Sequence, residues 1–533
     1  MYQLSKWAKQ LMLVLAIILC FSMAACASGE VQNPETNEVE PSGGETSGEE
    51  TKDEETTDEA KRSDVVYCLT SDIRAIDYTV TTDQITNIFY RNIYDTLIKK
   101  DAEGNFIPGL AESWESSEDG LVWTYKIRDD AYLHDGTKLT AEDVAWSINY
   151  TINAGTGVSA NMISMINAEV VDDYTVKINL SAPYAAHLED VQIYTYISKK
   201  DHMDFDTNPI GTGAYKYVSR SSGDSIILEA FDKYYLGEPK IKTLKFKIIT
   251  DSTTQISALQ SGEIDFLTHA PLAAKDTVES DPNLVWQETT FRGNIWIYMN
   301  MHKPPFDNVL ARKAVQYAVD MQAMLIGGSE GRGKVLKTFF PANVPASPEN
   351  DYVQPFSYDV AKAKDYLEQY KKEVGVDKVT IEITAPSTTM YLYPAKTLEG
   401  LLRDAGFDVT LLEIDRSAFW ASIYSSEFTI VVAGTSWPVQ DADGLYMYYP
   451  SNTPSALGMG LNDPEVDRLL NFARTSSDLE ARKAAYAEFQ KVMDDNAYAI
   501  TLYQPNNAVA YNAKLKGVTD NDLYQFYVFD WSW

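Results

Sequence analysis

Cysteine is nearly absent from this sequence: Cys20, Cys26 and Cys68 are the only three in 533 residues. Three thiols exclude a disulfide framework and a zinc ribbon. Histidine is scarce as well. His134, His187, His202, His269 and His302 are scattered, with no HExxH pair, so neither a metal centre nor a cofactor is expected. Positive charge is in deficit, with 45 Lys+Arg against 77 Asp+Glu and a net charge of −32. Nucleic acid is bound by stripes of Lys and Arg that neutralise phosphates, so it is a poor partner for this chain. An anionic membrane surface is disfavoured for the same reason. No GxxxxGK(S/T) loop is present, so the chain is not expected to hydrolyse ATP. No apolar run reaches the roughly 20 residues that a membrane-crossing helix needs.

What is present begins with an address. Lys6 and Lys9 form a short basic region, and LMLVLAIILCF follows at residues 11–21. That layout predicts a signal peptide over residues 1–25. Met23-Ala24-Ala25-Cys26 places two small residues directly before a cysteine, which resembles the lipobox of bacterial lipoproteins. Cys26 is then the lipidated first residue of the mature chain. Buried acyl chains contribute about 0.8 kcal/mol per CH₂, so two or more of them anchor a protein stably. The expected location is the cell membrane, on its extracytoplasmic face.

Residues 26–64 are almost devoid of large apolar side chains, and residues 27–64 carry thirteen acids against three bases. Such a segment buries too little apolar surface to offset its ordering entropy, so a disordered acidic tether is predicted. Cys68 lies beyond it in the apolar run VVYCL at residues 65–69, where a lone thiol acts as a small hydrophobe.

The rest alternates strand and helix signals, which defines an α/β chain. WTYKIR at residues 123–128 and VKINL at 176–180 alternate, as do Leu244, Phe246 and Ile248 around Lys245 and Lys247. Thr140 followed by Glu142 and Asp143 predicts a capped helix start. Asp463-Pro464 predicts another, whose stripe is Val466, Leu469, Leu470 and Ala473. His134-Asp135-Gly136-Thr137 reads as a turn, with His134 in a structural role.

Six blocks then occur in a fixed order: PGLAESWE at 108–115, LHDGTKLTAEDV at 133–144, NPIGTGAY at 208–215, YYLGEP at 234–239, ALQSGEID at 258–265, and NMHKPPFDNVLARKAVQYAVD at 300–320. Together they strongly resemble the extracellular solute-binding proteins, family 5. That family includes the oligopeptide-, dipeptide- and nickel-binding proteins of ABC importers, and the resemblance runs from Val65 to the C-terminus.

The resemblance implies a periplasmic-binding-protein-like two-lobed fold, of the large type II class. Lobe I would comprise residues 65–82, 208–291 and 501–533, with an extra subdomain inserted at 83–207. Lobe II would be 292–500. It further implies a non-enzymatic, monomeric receptor. Such a receptor holds a small polar solute, with a peptide expected first, between closing lobes and delivers it to membrane permease subunits. An oligosaccharide, a nickel chelate or a sensing role stays open, as does, more remotely, a secreted glycoside hydrolase working through two carboxylates.

In peptide-binding relatives a Trp is followed three residues later by an Asp that captures the ligand's free amine. Here the third residue after Trp437 is Gln440, and an alternative register on Asp441 and Asp443 places Pro438 there. Neither supplies a carboxylate; Asp441 either reaches inward by a one-residue shift or caps a loop. Aromatics make up 12% of the chain and suit peptide side chains, sugars and cations alike. Trp437, Trp296, Tyr298, Tyr67 and Trp420 are the candidate cleft aromatics. Arg292 is a candidate carboxylate partner or a surface ion pair.

Overall fold

The computed structural model describes residues 62–533, apart from 102, 157, 160, 161, 163, 292, 343, 349–351, 438, 439 and 520–525. The signal segment, Cys26 with its lipobox, nearly all of the tether, Arg292 and Pro438 therefore lie outside the described residues.

The fold is organised by one fourteen-residue strand, Ala499–Asn512. Its first part pairs antiparallel with Gly293–Met299. Ile430–Ser436 lies beyond that strand, followed by the parallel strands Thr380–Pro386 and Asp408–Ile414. The later part of Ala499–Asn512 pairs with Leu284–Thr290 and Phe266–Leu267. Asp64–Leu69, Thr243–Ile248, Ser225–Ala230 and Tyr215–Ser221 continue that side. Helices cover both regions, and the result is a two-lobed α/β fold. Two segments cross between the lobes, near Phe291 and near Pro505. They are tied together by Phe291 N donating to Pro505 O (3.1 Å) and Gln504 Nε2 donating to Phe291 O (2.8 Å).

A separate four-stranded antiparallel sheet joins Ala111–Ser116, Val122–Ile127, Thr175–Leu180 and Met165–Asp172. It has its own apolar core, including Leu97, Tyr125, Val144, Ile148 and Val176. The alternation read at residues 123–128 and 176–180 produces these strands: Tyr125, Val176 and Ile178 are buried while Lys126 and Lys177 are exposed. The helix starts also form as read. Thr140 N donates to the Asp143 carboxylate (3.0 Å) at the head of Ala141–Asn153. Val466, Leu469, Leu470 and Ala473 are the buried face of Pro464–Thr475. Each large apolar side chain so buried contributes about 1.5–3 kcal/mol. Cys68 is free and fully buried in the first strand. Burial pushes its thiol up to about 12.

Two of the sequence blocks meet through one imidazole. Gly211 N donates to His134 Nδ1 (3.2 Å), and His134 Nε2 is 3.0 Å from Gly213 O. Nδ1 accepts, so Nε2 carries the proton and donates. Burial holds His134 down to about 4, which keeps this neutral form at physiological pH. Asp135 closes the turn by accepting from Thr137 N (3.0 Å). Gly211 and Gly213 are required because this segment runs against the end of helix Gln84–Ile93. A Cβ on Gly211 would lie 2.1 Å from Ile93 O.

On one flank of the fold, residues 184–190 meet the loop after Trp437, and this contact contains many buried charges. Lys100 Nζ lies 2.5 Å from Glu189 Oε1 and also donates to Gln440 Oε1 (2.5 Å). Gln440 N donates to Glu189 Oε2 (3.2 Å). Asp441 accepts a two-pronged ion pair from Arg482, whose Nη1 is 3.0 Å from Oδ2, while Arg482 Nε donates to Ala473 O (2.9 Å). Asp441 also accepts from Asp443 N (2.8 Å) and so starts the short helix Ala442–Met447. Asp443 is 3.5 Å from Arg474, which stacks on Tyr184 and Tyr446. Ala185 N donates to Arg474 O (3.0 Å). The inward-reaching role considered for Asp441 is thus replaced by the loop-capping one, because Arg482 already occupies both carboxylate oxygens.

Three outcomes are expected. Gly211→Ala should lower stability by about 1–3 kcal/mol through overpacking, measured as a lower urea midpoint. Asp441→Ala leaves Arg482 buried and unpaired and should cost about 3–5 kcal/mol in the same assay. Burial raises Asp443 to about 7, with Arg474 opposing and Asp441 reinforcing. The native state therefore keeps a proton that the unfolded chain releases near pH 3.9. Stability falls as pH rises from about 4 towards 7. Asp443→Asn should flatten that slope in thermal melts, leaving the contribution of Asp190, which burial also raises.

Candidate functional site

Between the lobes lies a cavity of about 600 Å³. Both lobes and both crossing segments line it. One wall is the start of helix Gln84–Ile93, with Thr82, Asp83 and Gln84, together with His269 after strand Phe266–Leu267. The crossing segments contribute Phe291 and Asn507. The opposite wall is mainly helix Arg416–Tyr424, which presents Arg416, Trp420 and Tyr424. These three stand at i, i+4 and i+8 and so share one helix face. Phe419 and Ile423 point into the core from the other face. Tyr298, Met390, Tyr391, Met447 and Tyr448 add to the apolar lining.

Helix Arg416–Tyr424 is set in place by Asp415, whose carboxylate accepts from Ser417 N (2.8 Å). Gly434 sits behind it on strand Ile430–Ser436. A Cβ there would come within 2.6 Å of Ile295 Cδ1 and 3.0 Å of Tyr391 Cε1, so glycine lets Tyr391 approach the sheet. Trp420 stacks on Tyr424 with ring centroids 6.3 Å apart.

The polar groups divide into engaged and open ones. Asp83 caps its helix by accepting from Thr86 N (3.0 Å), Thr86 Oγ1 (2.7 Å) and Thr81 Oγ1 (3.0 Å). His269 has left-handed backbone geometry, with φ 50°. That conformation is costly without glycine and needs surrounding structure to hold it. Here Gln84 Oε1 lies 3.0 Å from His269 Nε2 and Thr268 Oγ1 lies 3.2 Å from Nδ1. Burial holds His269 down to about 4, so it is neutral. Asn507 Nδ2 is buried with no hydrogen-bond partner. Among the described residues, no group of three or more His, Cys, Asp or Glu side chains could hold a metal ion.

Of the residues singled out from sequence, Tyr298 and Trp420 line this cavity. Trp296 is 0% exposed and forms a second layer, stacked on Tyr298 at 5.3 Å and edge-on to Tyr448 at 5.4 Å. Trp437 is 2% exposed, packs against Phe340 and donates from Nε1 to Asn294 Oδ1 (3.3 Å). Tyr67 is 0% exposed in the core of the other lobe, parallel to Trp531 at 5.8 Å. These three are not in the cavity wall because each is enclosed by neighbouring rings. Gln440 and Asp441 belong to the charged flank. Arg416, His269 and Asn507 went unnoticed in the sequence. Only Arg416 left a trace there, through its spacing with Trp420 and Tyr424.

Relatives agree with this architecture. The probable D,D-dipeptide-binding periplasmic protein DdpA of Escherichia coli is 24% identical over 483 residues, spanning 85% of this chain and 91% of that protein. The glutathione-binding protein GsiB of Pectobacterium atrosepticum is 28% identical over 489 residues, spanning 87% and 93%. The ABC transporter substrate-binding protein CtaP of Listeria monocytogenes superposes with a TM-score of 0.79 at 22% identity, covering 89% of this chain and 99% of that one. The family model for the bacterial extracellular solute-binding proteins, family 5, matches residues 105–456. The chain belongs to the bacterial extracellular solute-binding proteins, family 5.

Proposed function

We propose that this protein is the solute receptor of an ABC importer and that it binds a peptide-class solute between its lobes. The observation that carries this reading is the composition of the cavity wall, which draws on both lobes and on both crossing segments. A ligand can favour a closed state only through contacts that differ between open and closed forms. A solute touching both walls does so, and closure then presents a new surface to permease subunits. Nothing in this role requires covalent chemistry, and the cavity offers apolar surface with a few polar groups, as binding sites do. The names of DdpA and GsiB support a peptide-class solute. Residues 23–26 support lipidation at Cys26, which would hold a monomeric receptor beside its permease on the extracytoplasmic face.

Thermal melts of the purified protein with di- to hexapeptides test this reading. A ligand at a hundred times its Kd stabilises by about 2.7 kcal/mol, which moves the midpoint by several degrees. At least one peptide is expected to do so. A panel in which no peptide moves the midpoint, while a sugar or a nickel–histidine chelate does, would overturn the peptide class. Trp420→Ala removes an aromatic anchor from the wall and should weaken the bound peptide by about 2 kcal/mol, roughly 30-fold in Kd. Calorimetric titration of the folded variant measures this; Trp420 also packs on Phe419 and against a lobe core, so the unliganded midpoint should fall as well.

A further inference from the structure

A second cavity of about 620 Å³ adjoins the first. The two share His269, Met390 and Asn507 in their walls, so they form two chambers of one cleft. The second chamber reaches past the crossing strand to Glu330, at the end of helix Met321–Ser329.

The charges in this double chamber are few. Among the described lining residues, the charged side chains are Asp83 and Arg416 in the first chamber and Glu330 in the second. The three hydrogen bonds to Asp83 satisfy most of its acceptor capacity, and Arg74 stands 3.8 Å away. Arg416 and Glu330 differ from it. Neither side chain has an ion pair, hydrogen bond or ring partner among the described residues. Arg416 is alone among the described arginines in this respect; the others pair with carboxylates, carbonyls, hydroxyls or rings. Its placement is not accidental exposure on a polar face, since Trp420 and Tyr424 continue the same face into the cavity. Glu330 ends its helix. It takes the left-handed position at the helix end, with φ 55°, where glycine or asparagine is usual. Asn507 lines both chambers, and its Nδ2 is a buried donor with no protein acceptor.

An unpaired cation in one chamber, an unpaired anion in the adjoining one and an unfilled donor on a residue common to both walls are complementary to a linear zwitterion. The amine-binding position of peptide-binding relatives is no substitute here, because Gln440 is engaged with Lys100 and Glu189. We propose that the two chambers form one site for a linear peptide read at both ends, with its carboxylate on Arg416, its ammonium near Glu330 and a mid-chain carbonyl accepting from Asn507. The aromatic face of helix Arg416–Tyr424 then meets side chains near the ligand's C-terminal end. This assignment rests on the peptide-class reading above and deepens it by fixing the polarity of the ligand.

The test uses the peptide Ala-Ala-Phe-Ala-Ala in free, N-acetylated and C-amidated forms, titrated calorimetrically into wild type, Arg416→Gln and Glu330→Gln. If the free peptide is not bound, the longest peptide that shifts the melting midpoint replaces it, with the same caps. In wild type each cap is expected to weaken binding about tenfold or more. The amide should have no effect in Arg416→Gln, and the acetyl group none in Glu330→Gln. Both substituted side chains are exposed and unpartnered, so the unliganded melting midpoints should match wild type. Caps without effect in wild type, or caps equally costly in both variants, would overturn the two-ended site while leaving a peptide receptor standing. Acetyl sensitivity lost in Arg416→Gln instead would overturn the polarity. If no free peptide binds at all, the peptide-class reading fails, and this assignment with it.

Discussion

Backbone pairing along Ala499–Asn512 holds the molecule together across its two lobes. One end of that strand completes the sheet behind Tyr298, and the other completes the sheet behind His269. Because both sheets pair with this strand, the two walls of the cleft are positioned by the same piece of chain. The chain crosses between them around Pro505 to Asn507 and, antiparallel to that stretch, at Phe291. Proline has no backbone N–H to donate, so Pro505 joins the ladder there only through its carbonyl, which accepts from Phe291 N. Asn507, whose Nδ2 is buried without a partner, sits on this same stretch.

The burial pattern separates support from recognition. Rings fill the lobe cores, and many residues that look suited to a ligand are holding other rings. Trp296 backs Tyr298, which reaches the cavity; Trp437 fixes Asn294; Tyr67 lies beneath Trp531. The flank at residues 184–190 does with charge what these rings do with apolar surface. Asp441 with Arg482 and Glu189 with Lys100 pair away from water, an arrangement that costs desolvation yet specifies geometry, while burial raises Asp443 and Asp190 beside them. The cleft wall is different, because Arg416 and Glu330 keep their charges uncommitted.

Much of the architecture was legible in the sequence. Alternation at residues 123–128 and 176–180, and the capped helix starts at Thr140 and Asp463, were local signals, and local propensity decided them. The order of the six blocks carried the family. The meeting of His134 with Gly211 and Gly213 was not readable, since 77 residues separate the partners and each block makes sense as a turn by itself. The site was harder still. A tryptophan in sequence announces a large buried surface without saying which way it faces, so Trp437 stood first among the cleft candidates although it packs in the core and Trp420 lines the cavity. Arg416 was hidden because Phe419 and Trp420 put aromatics on both faces of one short helix. Asp441 looked free only because its partner, Arg482, is 41 residues away.

Cys68 has a practical consequence. It is the one cysteine among the described residues, enclosed in the first strand, and its thiol is held almost wholly protonated at neutral pH. The thiolate is the nucleophile that attacks a maleimide, so this buried, protonated sulfur is silent towards such reagents while the protein is folded. A pair of cysteines introduced one on each lobe would therefore carry fluorophores with no background labelling of the folded body. Distances between those dyes could then follow closure of the cleft in solution, one molecule at a time.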